Sequence, residues 1–166
     1  FAKRSESMHK TAAVTSENVK KLQETQQQMR QEVFMGAAKF VMESLHSLAV
    51  DLTRAIDGGI HERMWKAYNN GDIGIFTSYL VSIEDELPVD DYQQKFIKDP
   101  EFRNYIKSFI NQYEDMIDQS IKVDNGALLA TTFSTSDVGK LYRLLCVIAD
   151  TAPLTQVKET SVLFGY

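Results

Sequence analysis

The first 57 residues carry two successive stripes of apolar positions, spaced alternately by four and three residues. This period of 3.5 residues keeps one side of an α-helix facing a neighbouring helix. The same stretch contains no proline and a single glycine, Gly36, so almost nothing in it ends a helix. We therefore predict one long helix that ends at Asp57-Gly58-Gly59, where the glycines supply the left-handed conformation common at helix ends.

The first stripe predicts a marginal coiled coil rather than a strong one. Two of its eight members are polar: it consists of Met8, Ala12, Thr15, Val19, Leu22, Gln26, Met29 and Val33. A helix over residues 10–56 would be about 70 Å long, which exceeds the width of a domain of this size. Its first half is therefore expected to project and to need another chain, with Met8, Val19, Leu22, Met29 and Val33 binding the partner. The alternative is a solvated or frayed arm, because residues 23–28 are polar all round.

The second stripe is richer in large apolar groups and requires a core of its own. It consists of Phe34, Ala38, Val41, Leu45, Leu48, Leu52 and Ala55. Helical periodicity continues through residues 60–69, 73–87, 92–98, the segment that starts at Asp99-Pro100-Glu101, and 138–149, and no segment shows the alternation of a strand. The expected fold is all-α: a helical arm over 1–32, a bundle over 33–150 with about five further helices, and a C-terminal tail over 151–166 in which Val162-Leu163-Phe164 docks.

Charge divides the chain at a similar place. Residues 1–40 hold 7 Lys and Arg against 4 Asp and Glu, a net charge of +3, whereas the remainder holds 11 against 19, a net charge of −8. An acidic compact half is a poor nucleic-acid binder, because phosphate neutralisation needs clustered cations. The lone Cys146 lies in an apolar run and is expected to be a buried thiol, which excludes disulfides within one chain.

The longest unbroken apolar run, Leu144 to Ala149, is too short to span a bilayer, so no membrane span is predicted. Phe1 is not a start methionine and Lys3-Arg4 follows it, which leaves open an anchoring segment upstream of Phe1. The sequence otherwise favours a cytoplasmic location.

The sequence motifs that could support catalysis, metal binding or phosphate binding are incomplete. His61-Glu62 begins like a zinc-protease motif, but Trp65 stands where the second histidine must be. Glu43 and His46 match half of a di-iron pair, and the chain has no second such pair. Gly139-Lys140 lacks the remaining residues of a phosphate-binding loop, and the acidic run at 84–91 lacks the spacing of a calcium loop. We therefore expect no enzyme activity, no cofactor and no metal.

Aromatic residues are the remaining feature, with nine Phe, seven Tyr and one Trp. An aromatic core explains them most simply, but Trp65 and Tyr68 also have the polar tips that suit a half-exposed binding patch. Under that hypothesis, changing both to alanine leaves the helical content intact and abolishes binding.

The leading interpretation is a non-enzymatic interaction or assembly subunit, either a homo-oligomer or a component of a multi-subunit complex. The alternative is a small-molecule-binding or sensory helical domain with a pocket among Phe34, Phe40, Phe76, Phe109 and Tyr142.

Overall fold

The computed structural model describes residues 2–58, 61–123 and 125–154, with side chains from Ser5 onward. Over these residues the fold is all-α and contains seven α-helices, one 3₁₀ turn and no strand. The helices are α1 (Ala2–Asp57), α2 (Glu62–Asn69), α3 (Ile75–Ser82), α4 (Val89–Lys98), α5 (Pro100–Ile121), α6 (Gly126–Thr135) and α7 (Asp137–Ile148), and the 3₁₀ turn is Glu84–Glu86. The predicted long helix followed by a bundle is therefore confirmed.

Helix α1 has two halves with different surroundings. Its 56 residues extend for about 84 Å, and no described side chain before Phe34 is buried. From Phe34 onward, α1 packs against α5 and α3. The second apolar stripe faces this core as predicted: Phe34, Ala38, Leu45 and Leu52 are buried, and Val41, Leu48 and Ala55 are partly buried against them.

Helices α5 and α7 contact each other, and both contact α1, α4 and α6. The apolar face of α5 is buried except for Tyr105, which is half-buried and donates a hydrogen bond to Glu101. Asp99 caps α5, because its carboxylate accepts from the backbone N–H groups of Glu101 and Phe102. Cys146 is fully buried in α7, and burial raises the pKa of its thiol.

Two sequence predictions need correction. The single helix expected over 73–87 ends at Ser82, and a 3₁₀ turn follows it. The bundle also has one helix more than expected, α6, whose threonine-rich sequence has low helix propensity. The hydroxyls of Thr131, Thr132 and Thr135 bond back to carbonyls of the preceding turn, and α6 packs against α5 and α7. Tertiary packing therefore outweighs the weak local preference.

The C-terminal end of α1 is held by side chains from α4. The Lys95 ammonium donates a hydrogen bond to the carbonyl oxygen of Ala55, and the Tyr92 hydroxyl donates one to the carbonyl oxygen of Ile56. Both donor–acceptor distances are 3.0 Å. Carbonyls in the last turn of a helix have no partner within the helix, and a cation there also complements the helix dipole. These two hydrogen bonds attach the C-terminal end of α1 to α4.

The predicted C-terminal tail is described only as far as Leu154, whose N–H donates to the Tyr142 hydroxyl. The predicted docking of Val162-Leu163-Phe164 lies outside the described residues.

Candidate interaction surface on helix α1

The apolar members of the first stripe all lie at the surface of the chain. The exposed fractions are 74% for Met8, 49% for Val19, 60% for Leu22, 58% for Met29 and 73% for Val33. They repeat with a coiled-coil period, and no residue that the structure describes buries them. We call the eight-residue stripe from Met8 to Val33 the seam.

Charged side chains avoid the seam. Between residues 11 and 29 the charged residues are Glu17, Lys20, Lys21 and Glu24. At 100° per residue, all four fall on the side of α1 opposite the seam. The positions flanking the central seam, Ser16, Asn18, Gln23 and Thr25, are uncharged. A second helix placed on the seam would therefore meet a strip without formal charge.

One of the two polar seam residues has its donor satisfied within α1. The Thr15 hydroxyl donates to the carbonyl oxygen of Thr11 at 2.9 Å. Its γ-methyl group and the free lone pair of its oxygen remain available to a neighbouring helix. Gln26 is therefore the only seam side chain that brings an unsatisfied donor to a buried contact.

The exposed stripe is longer than the sequence analysis predicted. The spacing of the seam continues from Val33 to Gly36 and Phe40, and Phe40 is 76% exposed. Residues Phe34 and Ala38, which face the core, lie roughly a third of a turn away around α1. Phe40 was expected to line an aromatic pocket, but it lies outside the bundle. The unbroken alternation of four and three from Met29 to Phe40 was the signal that could have identified it.

No neighbour among the described residues requires glycine at position 36. An added Cβ would meet no atom within 4 Å, and glycine weakens a helix interior. Together with the exposed Val33 and Phe40, it leaves a flat apolar area just where α1 joins the bundle. Such an area allows the close approach of another backbone.

A groove of about 550 Å³ adjoins this area. Met29, Arg30, Val33, Phe34 and Ala37 of α1 form one wall, and Gln119, Lys122 and Val123 at the end of α5 form the other. The last third of the seam is therefore the side of a groove rather than an isolated ridge.

The proposed Trp65 and Tyr68 patch is half-buried. Both rings stand edge-on to the buried Phe76, at centroid distances of 5.2 and 5.6 Å, and the Arg54 guanidinium lies 5.1 Å from the centre of the Trp65 ring. The two side chains cover the core beneath α2 and are only partly exposed.

The remaining pocket candidates, Phe34, Phe76, Phe109 and Tyr142, are core side chains. The rings of Tyr142 and Tyr113 stack at 4.2 Å, and the Tyr142 hydroxyl donates to the Glu114 carboxylate. The small-molecule-binding alternative required a ligand cavity among these residues, but their side chains fill that space. Phe34 also borders the groove.

His46 does not join Glu43 in a metal site. Its Nδ1 lies 2.8 Å from the hydroxyl oxygen of Thr77, which is fully buried, while Glu43 is exposed. Among the described residues, no group of three His, Cys, Asp or Glu side chains is placed to hold a metal ion. Every buried side-chain nitrogen or oxygen of those residues has a hydrogen-bond partner.

His46 makes the stability of the bundle sensitive to pH. Burial lowers the pKa of His46 from its ordinary value of 6.5, and Asp72 and Asp137 partly oppose that shift. As pH falls through 6.5, the unfolded chain binds a proton that the folded chain resists, so stability is lost towards acid.

We expect the free energy of unfolding to fall more between pH 7 and pH 5 for the native chain than for His46→Gln. Denaturant titrations at each pH measure this, with the exposed His61→Gln as control. Parallel pH curves for the native chain and His46→Gln would contradict the assignment.

One helix, α1, is long and apolar enough to cross a membrane by length and composition alone, with a window of mean hydropathy 1.2, of which 28% is buried. A mostly buried core helix of a soluble protein and a signal sequence near an N-terminus pass the same test. The buried Leu45, Ala49 and Leu52 pack into the helical core, and this packing explains their apolar character.

The architecture is thus an all-α bundle with a long helix that extends beyond it. No protein-family model, no curated protein and no solved structure matches the chain.

Proposed function

We propose that this protein is a non-enzymatic interaction subunit that associates with a protein partner through the exposed face of α1. The observation that carries the proposal is the contrast along one helix. Phe34, Ala38 and Leu45 are covered by the bundle, whereas Met8, Leu22 and Val33 have the same apolar character and spacing but are left exposed by the part of the chain that the structure describes.

The energetics of an uncovered arm support a partner. Helices without tertiary contacts are marginal in water, and the arm contains threonine, serine, asparagine and valine, which are weak helix formers. Burying an exposed Leu, Val or Met side chain yields about 1.5–3 kcal/mol. A partner that covers the five large apolar seam residues would therefore stabilise both the complex and the helix itself.

The affinity is expected to be moderate. The five seam side chains are already about a third covered by their own helix, and Thr15 and Gln26 interrupt the stripe. Association costs about 4–15 kcal/mol in lost freedom, which is comparable to what two such seams supply. The net free energy is therefore small, and we expect a weak association whose extent depends on concentration.

Charge on the seam should weaken this association. Replacing Leu22 by lysine removes an apolar contact and adds a charge to be buried, and we expect binding to weaken at least about 30-fold, equivalent to about 2 kcal/mol. The matched control is Gln28→Lys, which adds the same charge on the opposite side of α1.

Site-specific photo-crosslinking in the native host compares the seam with the opposite side of α1. A photoreactive side chain at position 22 should give one discrete adduct whose partner mass spectrometry identifies, and the same side chain at position 28 should give none. Adding Val19→Lys should remove the adduct. No adduct at position 22, or equal adducts at both positions, would contradict the proposal.

A further inference from the structure

We propose that the partner of the seam is a second copy of this chain, and that the two copies of α1 pair antiparallel about the midpoint between residues 20 and 21. This inference rests on the proposed function and specifies the partner at the same surface. The argument comes from which residues face each other in the two possible orientations.

The seam is symmetric about its own centre. In the antiparallel pair, Val19 faces Leu22 of the second copy, Thr15 faces Gln26, Ala12 faces Met29 and Met8 faces Val33. Every apolar seam residue therefore meets an apolar one, and the two polar residues meet each other. The Thr15 oxygen, whose hydrogen is bonded to Thr11, can accept from the Gln26 amide opposite it.

Each pair of seam residues that face each other forms one layer of the interface, and the side-chain volumes of these layers also favour the antiparallel pair. It places the smallest seam residue, Ala12, opposite the long side chain of Met29, so that all layers have similar thickness. A parallel pair in register would place Ala12 on Ala12 and Met29 on Met29, and thin layers would alternate with thick ones. Helix interfaces pack well when large and small side chains face each other.

Charge permits self-pairing. On the two flanks of an antiparallel pair, Ser16 faces Gln23 of the second copy and Asn18 faces Thr25, and none of these is charged. The next charged flank residues, Arg30 and Glu32, face His9 and Thr11. Over residues 8–33 no two acidic side chains and no two Lys or Arg side chains face each other at the flanks, so no such repulsion opposes a second copy along this part of the seam.

The bundle is compatible with this arrangement and adds to it. The two bundles stand at opposite ends of a rod formed by the arms, where they do not collide. Met8 of the second copy reaches Val33, which lines the groove of about 550 Å³. Ser5 of the second copy lies opposite Gly36, where the missing side chain leaves room for the approaching helix.

The small surface area that the seam would bury on each copy predicts a concentration-dependent dimer. A strip over residues 8–33 is about 39 Å long and about 10 Å wide. The footprint of about 400 Å² on each copy is small beside the roughly 800 Å² that a standard interface buries on each partner. Contact at the groove enlarges it. The result is a dimer that dissociates on dilution.

Disulfide trapping of the full chain distinguishes the orientations. The variants Met8→Cys and Val33→Cys are oxidised separately and as a mixture; the native Cys146 is fully buried and does not interfere. In the antiparallel dimer, the two Met8 positions are about 37 Å apart, whereas a disulfide needs Cα atoms within about 7 Å. We expect the mixture to cross-link and each single variant to remain uncross-linked. Cross-linking of either single variant alone would overturn the antiparallel arrangement.

A charge exchange tests the same pairing without cysteine. The double variant Thr15→Glu with Gln26→Lys places opposite charges face to face in the two antiparallel layers where positions 15 and 26 meet, and its dissociation constant should change by less than about tenfold. The double variant Thr15→Glu with Gln26→Glu places like charges there, and dimerisation should weaken at least about 100-fold. Analytical ultracentrifugation measures both. Equal weakening of the two variants would overturn the proposal.

The outcomes separate this inference from the proposed function. A chain that stays monomeric at about 100 μM, yet gives a face-specific adduct with a different protein at position 22, overturns self-pairing and leaves the interaction subunit standing. A monomer without any such adduct overturns both.

Discussion

Gly139→Ala is expected to lower the free energy of unfolding by about 3 kcal/mol, because its added methyl group has no space. Gly139 lies in the first turn of α7, and the new Cβ would lie against the backbone carbonyls of Phe133 and Ser134 at the end of α6. Backbone cannot move aside as a flexible side chain can, so α6 and α7 must separate. For a chain of this length the melting temperature should fall by roughly 6–12 °C.

Gly36→Ala is the matched control and should act in the opposite direction. Its added Cβ meets nothing within 4 Å, and alanine favours the helix by about 0.5–1 kcal/mol. Chemical denaturation followed by circular dichroism measures both variants. Equal effects of the two substitutions would show that the close approach of α6 and α7 does not constrain position 139.

Replacing Trp65 and Tyr68 together by alanine is expected to cost about 3 kcal/mol of stability, which revises the expectation drawn from sequence. Both rings pack edge-on against Phe76, which is fully buried. Removing them would uncover the core beneath α2 and discard the contact between Arg54 and Trp65. The double alanine variant would therefore confound loss of binding with loss of folding.

The double variant Trp65→Phe with Tyr68→Phe separates the two effects. It keeps aromatic rings against Phe76 while removing both polar tips, and its stability should stay within about 1 kcal/mol of the native chain. Thermal denaturation of both double variants provides the comparison. An unchanged melting temperature for the alanine variant would show that the rings do not support the core, and would return them to consideration as a free surface.

Local sequence signals predicted most of the architecture because each has a direct physical cause. The absence of proline and the scarcity of glycine predicted α1, and Asp99-Pro100-Glu101 predicted the start of α5. Helix α6 was missed because its threonines favour other local conformations, and only packing against α5 and α7 makes it a helix. The candidate surface was predicted in its N-terminal part but not at Gly36 and Phe40.

The sequence by itself determined that α1 is a helix and that its apolar residues form stripes, since backbone propensity and side-chain period are properties of the local chain. Only the tertiary structure decided which stripe is covered. Phe34 and Phe40 are equally apolar and stand six residues apart, but α5 and α3 approach α1 from one side, so Phe34 is buried and Phe40 is exposed. Burial depends on which elements meet in space, and no local pattern contains that information.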